Sequence, residues 1–274
     1  MKQSPILVAD HALSLRLEMV EGAASADFID ARRLHQPGTT AEWRREAGAY
    51  LLFDGVDSPL SQSFGLGLAE ELTPEDLKCV EAFFTSHGAE LNHEVSPLAG
   101  LSTIHTLCDA GYRPSEFTSV MYLPLAGATI PEVPAGVTVR IMSPEEGAAW
   151  ARTSADGWAE FVEYAAMIEE LAMVGTYRKH GVNFFAEIDG VPVATGGLSL
   201  HDGVALFAGA STLPDYRCRG AQSALLAARL AYARSAGCDL GMMCAAAGSG
   251  SQRNAQRAGF LIAYTRTKWT RRAH

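Results

Sequence analysis

Between Leu213 and Leu226 the chain reads Leu-Pro-Asp-Tyr-Arg-Cys-Arg-Gly-Ala-Gln-Ser-Ala-Leu-Leu. An apolar run of small residues with strand character (204–212) precedes this stretch. After it, Ala221, Ala224, Leu225, Ala228 and Tyr232 recur at helical spacing until Gly237. A helix that starts there exposes backbone N–H groups without intrahelical partners, and its dipole adds about half a positive charge at that end. Gly220 lets the backbone approach a ligand, and Arg217 and Arg219 add positive charge. That combination suits a diphosphate. A glycine between strand and helix serves equally well as a bare turn residue, so the stretch alone leaves the matter open.

The elements that must position this turn decide between the two readings. The sequence predicts strand 183–188, a turn at Asp189-Gly190, and strand 191–200. The strand ending at Thr212 follows, then the basic turn and its helix, then strand 239–244. A short helix through Asn254, Ala255 and Arg257 leads to Gly259-Phe260 and a final strand reaching Trp269.

This order resembles the GCN5-related N-acetyltransferase family, whose phosphate turn reads Arg/Gln-x-x-Gly-x-Gly/Ala before an amphipathic helix. The resemblance covers residues 137–270. It implies acetyl-CoA as acyl donor, lying between two strands that splay apart. Backbone groups near Thr212 and Leu213 would pair with the pantetheine arm. The turn Arg217, Cys218, Arg219, Gly220, Ala221 and Gln222 would take the diphosphate, and Asn254 would contact the arm. Arg257, one helical turn on, would reach the same ligand or cap its helix. The chain departs from the pattern at Gln222, where glycine or alanine is common, and at Ala255, where the family often carries a tyrosine. The catalytic acid and base are therefore unassigned. Tyr264 on the last strand and Glu187 on the preceding hairpin are the weak candidates. Trp158, Glu160, Glu163 and Tyr164 are candidates for reading an amine, and equally for core and solvated helix face.

The first half repeats the order of the second. A helix is expected over 12–20 and another over 27–35, with strands over 49–54 and 61–68. Thr73, Pro74 and Glu75 then mark a helix start. Strand 89–95, helix 101–110, Gly111-Tyr112 and strand 116–125 complete the half. Where the second half has its basic turn, the first has Ala-Glu-Glu-Leu-Thr-Pro from Ala69, with two acids and no arginine. Carboxylates repel a diphosphate, and proline removes an N–H. The expected organisation is α/β (α+β), with two tandem acetyltransferase-like domains, each a mixed, largely antiparallel sheet flanked by helices. The degenerate copy would span residues 1–126, a linker 127–136, and the acetyl-CoA-binding domain 137–274.

Composition narrows the function. The 274 residues are 48% hydrophobic and 19% charged, a globular balance. A net charge of −9 argues against nucleic acid as partner. No apolar run reaches the roughly 18 residues of a membrane span, and the N-terminus lacks a signal-peptide core; a cytoplasmic location is expected. The five cysteines are dispersed and read as reduced thiols, and the eight histidines show no metal spacing. No metal is expected. The reading that emerges is an acetyl-CoA-dependent N-acetyltransferase of a small amine, with a non-catalytic acyl-CoA or small-molecule binding protein as the alternative.

Overall fold

A computed structural model describes residues 8–271. From the N-terminus it runs α1 (His11–His35), β1 (Glu42–Glu46), β2 (Ala49–Phe53), β3 (Gln62–Phe64), α2 (Pro74–Ser86), β4 (Leu91–Val95), α3 (Gly100–Asp109) and β5 (Arg113–Pro124). It continues with β6 (Thr138–Ile141), α4 (Gly147–Asp156), α5 (Ala165–Gly175), β7 (Gly181–Ile188), β8 (Val191–His201), β9 (Val204–Thr212), α6 (Ala221–Ser235), β10 (Leu240–Ala246), α7 (Gly250–Arg257) and β11 (Leu261–Arg271). These elements form two units. The first holds the described residues up to Met121, with Cys244–Gln252 and the described residues from Leu261; the second holds Tyr122–Met243 and Arg253–Phe260.

In the first unit the strands lie in the order β1-β2-β3-β4-β11-β5. The pairs β1/β2 and β2/β3 are antiparallel, β3/β4 is parallel, and β4/β11 is antiparallel. The parallel step needs a crossover, and α2 supplies it. Leu77, Val80 and Phe84 of α2 are buried with Leu51, Leu66, Leu107 and Trp269 in one core. The two helices expected over 12–20 and 27–35 are one continuous α1, capped by Asp10, whose carboxylate accepts from Leu13 N at 2.9 Å. Gly22 does not break it. A Cβ there would lie 2.4 Å from Tyr50 Cδ2, so the glycine serves close packing of β2 on the helix.

The second unit has the order β10-β9-β8-β7-β6. Here β6/β7, β7/β8 and β8/β9 are antiparallel, and β9/β10 is parallel with α6 as the crossover. Both units are thus mixed, mostly antiparallel sheets flanked by helices, and β1-β2-β3-β4 and β7-β8-β9-β10 share one connectivity. Phe185, Val193, Leu198, Leu225, Leu230 and Met242 are buried in the second unit.

The assignment of β11 differs from the sequence reading, which placed it with residues 137–274. Its residues Thr267–Arg271 pair with Val95–Leu91 of β4. Side-chain chemistry holds it there. Arg266 is buried against three carboxylates of the first half, Glu18, Glu21 and Glu94, with Nη1 2.5 Å from Glu21 and Nε 2.9 Å from Glu94. Trp269 enters the same core as Leu51 and Val80.

Candidate active site

The site is assembled by β9, the turn behind it and α6. Strands β9 and β10 pair only over Val204–Leu206 and Leu240–Met242, while β9 runs on to Thr212. Beyond Leu206 that edge of β9 has no registered partner among the described residues. On its other edge β9 carries a bulge: Thr195 opposes Ser211 but Gly197 opposes Ala208, leaving one extra residue on β9. Gly209 absorbs it with φ +60°, and Ala208, Gly209 and Ala210 are exposed in mid-strand.

After Thr212 a 3-10 turn, Pro214–Tyr216, leads into the basic residues. Cys218 and Gly220 both adopt positive φ, 61° and 89°. At Gly220 the geometry demands glycine, because a Cβ would also lie 2.9 Å from Pro134 Cγ. Gly220 is the N-cap of α6 and provides no side-chain cap. The first internal bond of the helix runs from Ala224 N to Gly220 O at 2.9 Å. The amides of Gly220, Ala221, Gln222 and Ser223 find no acceptor among the described residues. They form an uncapped positive end on a 15-residue helix.

The first unit closes the same position. Thr73 caps α2 by accepting from Asp76 N at 3.1 Å, and Asp76 accepts from Thr73 N at 3.1 Å and from its hydroxyl at 2.6 Å. Those bonds hold the Asp76 carboxyl below its usual range. Pro74 contributes no N–H. The glycines after β3 are also filled in: a Cβ at Gly65 would lie 2.1 Å from Met19 Cε, and one at Gly67 2.1 Å from Thr103 Oγ1. A serine–histidine pair in this unit is sealed and serves packing. Ser63 bonds His93 Nδ1 at 2.8 Å, His93 Nε2 bonds Tyr112 at 3.0 Å, and both Ser63 and His93 are fully buried. Burial pushes the imidazole down to about 3, so it stays neutral.

Residues 146–260 match the acetyltransferase (GNAT) family. They are a GNAT acetyltransferase domain. Solved structures carry the same fold over nearly the whole chain. A GCN5-related N-acetyltransferase from Kribbella flavida aligns at 22% identity and a TM-score of 0.64, over 91% of this chain and 96% of that one. A tandem GNAT protein from the clavulanic acid biosynthesis pathway aligns at 14% identity and 0.60, over 98% and 97%. A GCN5-related N-acetyltransferase from Sphaerobacter thermophilus aligns at 18% identity and 0.54, over 96% and 92%. No curated protein matches the chain.

Within the acetyltransferase domain the turn residues named from sequence come together, with intramolecular duties the sequence did not disclose. Arg217 closes its guanidinium on the Glu160 carboxylate through both Nη atoms, the Nη2 contact being 2.9 Å. The same Nη2 donates to Gly157 O at 2.9 Å, and Nε reaches Thr212 O at 3.4 Å. Arg219 stacks over the Tyr216 ring, 5.1 Å from its centroid. Gln222 turns back from the first helical turn, its amide donating to Ser211 O at 2.9 Å and to the Thr212 hydroxyl at 2.7 Å. Leu213 N donates to Val193 O at 2.9 Å. Ala221 is buried under the turn, and Asn254 and Arg257 are exposed on α7. Ala255, between them in sequence, is fully buried.

Neither catalytic candidate stands on β9. Glu187 lies on β7 and accepts from Arg140 Nε at 2.7 Å. The same guanidinium bonds both oxygens of Glu146, whose carboxyl it holds down to about 2. Glu187 is thereby committed to a structural ion pair. Tyr264 belongs to the first unit, where it is buried and donates to Glu18 Oε1 at 2.8 Å. Burial raises its hydroxyl far above the ordinary tyrosine range, so it is not a proton donor within reach of neutral pH.

A further cation was not singled out from sequence. Arg229 of α6 is buried, donates to Leu225 O and to Gly197 O at 3.1 Å, and lies 5.4 Å from the Phe207 centroid. Burial lowers it to about 10, which leaves it charged at neutral pH. Gly196 admits it: a Cβ there would sit 3.0 Å from the guanidinium carbon. Two adjacent glycines in a strand were the available signal.

Proposed function

We propose that the chain is an acetyl-CoA-dependent N-acetyltransferase of a small amine, with one donor site, in the second unit. The observation that carries this reading is the uncapped start of α6, its free amides lying under left-handed Gly220 at the end of a splayed strand. A diphosphate supplies the acceptors those amides lack. Ala221 and Gln222 would hold it through their N–H groups, with Cys218, Arg219 and Gly220 shaping the turn. Thr212 and Leu213 would flank the pantetheine arm, and Asn254 and Arg257 would approach the donor from α7. Bound acetyl-CoA supplies the activated acyl group. The first unit is a degenerate copy, a reading supported by the closed cap of α2 and the filled glycines after β3.

Transfer is direct. The amine nitrogen attacks the thioester carbon, the C–S bond breaks, and the thiolate leaves and takes a proton from water. The amine proton also goes to water, since neither Glu187 nor Tyr264 is free to accept or supply one. The same observation favours the second reading, a protein that binds acyl-CoA without turnover.

Calorimetry with acetyl-CoA, followed by assay of free CoA release over a panel of amines, separates the outcomes. One site with amine-dependent release is expected. Absence of binding, or two equivalent sites per chain, refutes the proposal; binding without release from any amine favours the second reading.

A further inference from the structure

The segment 157–164 lies between α4 and α5 and exposes Trp158, Phe161, Val162 and Tyr164. Its backbone bonds are local: Gly157 N to Thr153 O, Trp158 N to Ala155 O, Phe161 N to Trp158 O, Tyr164 N to Phe161 O. Among the described residues, its polar ties to anything more distant in sequence run to one side chain. Arg217 takes the Glu160 carboxylate in its fork and the Gly157 carbonyl on the same Nη2. Gly157 also packs so closely that a Cβ would lie 2.6 Å from Ser211 Oγ. The segment is therefore fastened to the turn that precedes the uncapped helix start.

That fastening uses the charge the turn would offer an anion. A carboxylate in a bidentate fork presents an arginine with the same pair of oxygens as a phosphate. The pair is solvent-exposed, 41% for Arg217 and 51% for Glu160, so little free energy opposes exchanging one anion for the other. We infer that the Glu160 carboxylate and the donor's diphosphate are alternative partners of Arg217, so that donor binding releases segment 157–164. This rests on the donor site proposed above. Glu160 is then a positioning residue. It holds segment 157–164 at the turn, through Arg217, until the donor arrives.

The test uses CoA as probe on the full chain. Glu160→Gln keeps the side-chain shape and removes the competing charge, so the Kd for CoA should fall about threefold, the scale of an exposed ion pair. In an Arg217→Gln background the same change should have no effect, because the competition has lost its object. CoA should also change Trp158 emission in the wild type, a signal absent from Trp158→Phe and already partly developed in Glu160→Gln without ligand. Equal Kd values for wild type and Glu160→Gln, or a Trp158 signal indifferent to CoA, overturn the inference while leaving the donor site standing. Failure of CoA to bind either protein refutes the donor site, and the inference with it.

Discussion

Replacing Ser223 by aspartate would give α6 the acid that α2 carries at the same place in its first turn. Ser223 is the third residue of its helix, as Asp76 is of α2, and it is exposed, so the change disturbs no packing. Two consequences of opposite sign follow. The helix gains a carboxylate on free amides at its positive end, worth about 0.3–1 kcal/mol of stability. The donor site loses, because the new charge stands beside the diphosphate. At a separation of about 6 Å and an effective dielectric of about 40–80, each pair of unit charges costs about 0.7–1.4 kcal/mol. With two charges on the diphosphate the penalty is about 1.5–3 kcal/mol, or about 10- to 100-fold in the Kd for CoA. Thermal unfolding and calorimetric titration on the same preparation read both effects, and Ser223→Asn serves as the uncharged control. Added salt should shrink the loss. A protein that is more stable yet binds CoA as tightly as the wild type would show that the anion does not sit at the start of α6.

Two further outcomes are open to measurement. Burial raises Glu18 from 4.5 to about 7, against the pull of Arg266. A carboxyl raised on folding contributes stability that is present in full below pH 4.5 and lost as pH climbs to about 7, about 3 kcal/mol in all. Glu18→Gln removes that term, so in urea unfolding its stability relative to wild type should rise between pH 5 and 8; a pH-independent difference would contradict the burial argument. For direct transfer, Cys218→Ser and Cys244→Ser should keep most of their turnover. The Cys244 thiol donates to Glu21 at 3.2 Å and burial pushes its pKa up, the reverse of what a nucleophile needs. An acetylated cysteine trapped by mass spectrometry would overturn it.

What the sequence disclosed was local. The basic turn, its glycine and the helix behind it were legible because Gly220, the arginines and the apolar spacing act within one turn of chain. The start of α2 was legible for the same reason, its cap residues being three positions apart. What stayed hidden depends on partners far away in sequence. Nothing near Arg217 announces Glu160, and Glu187 reads as an available base until Arg140 is found across the β6/β7 pair. Strand β1, with Arg44 and Arg45 at its centre, has no apolar alternation to reveal it. Nor does the sequence show that α5 begins only at Ala165, behind the exposed Trp158, Phe161 and Tyr164. Strand β11 was read correctly as a strand and assigned to the other sheet, since a strand's own pattern does not name its neighbour.

The place of β11 bears on how the chain can be made and cut. The first unit is discontinuous: its core takes Trp269, and its buried carboxylates await Arg266, whose bond to Glu94 spans 172 positions. During synthesis the N-terminal segment leaves the ribosome with Glu18, Glu21 and Glu94 lacking their countercharge, and it must wait while the second unit is translated. Long-range closure of this kind is slow and leaves strand edges open in the meantime. Dividing the gene within 127–136 would therefore not yield two self-sufficient proteins. The first fragment would expose the β4 edge with three acids beside it, and the second would carry β11 without its partner β4.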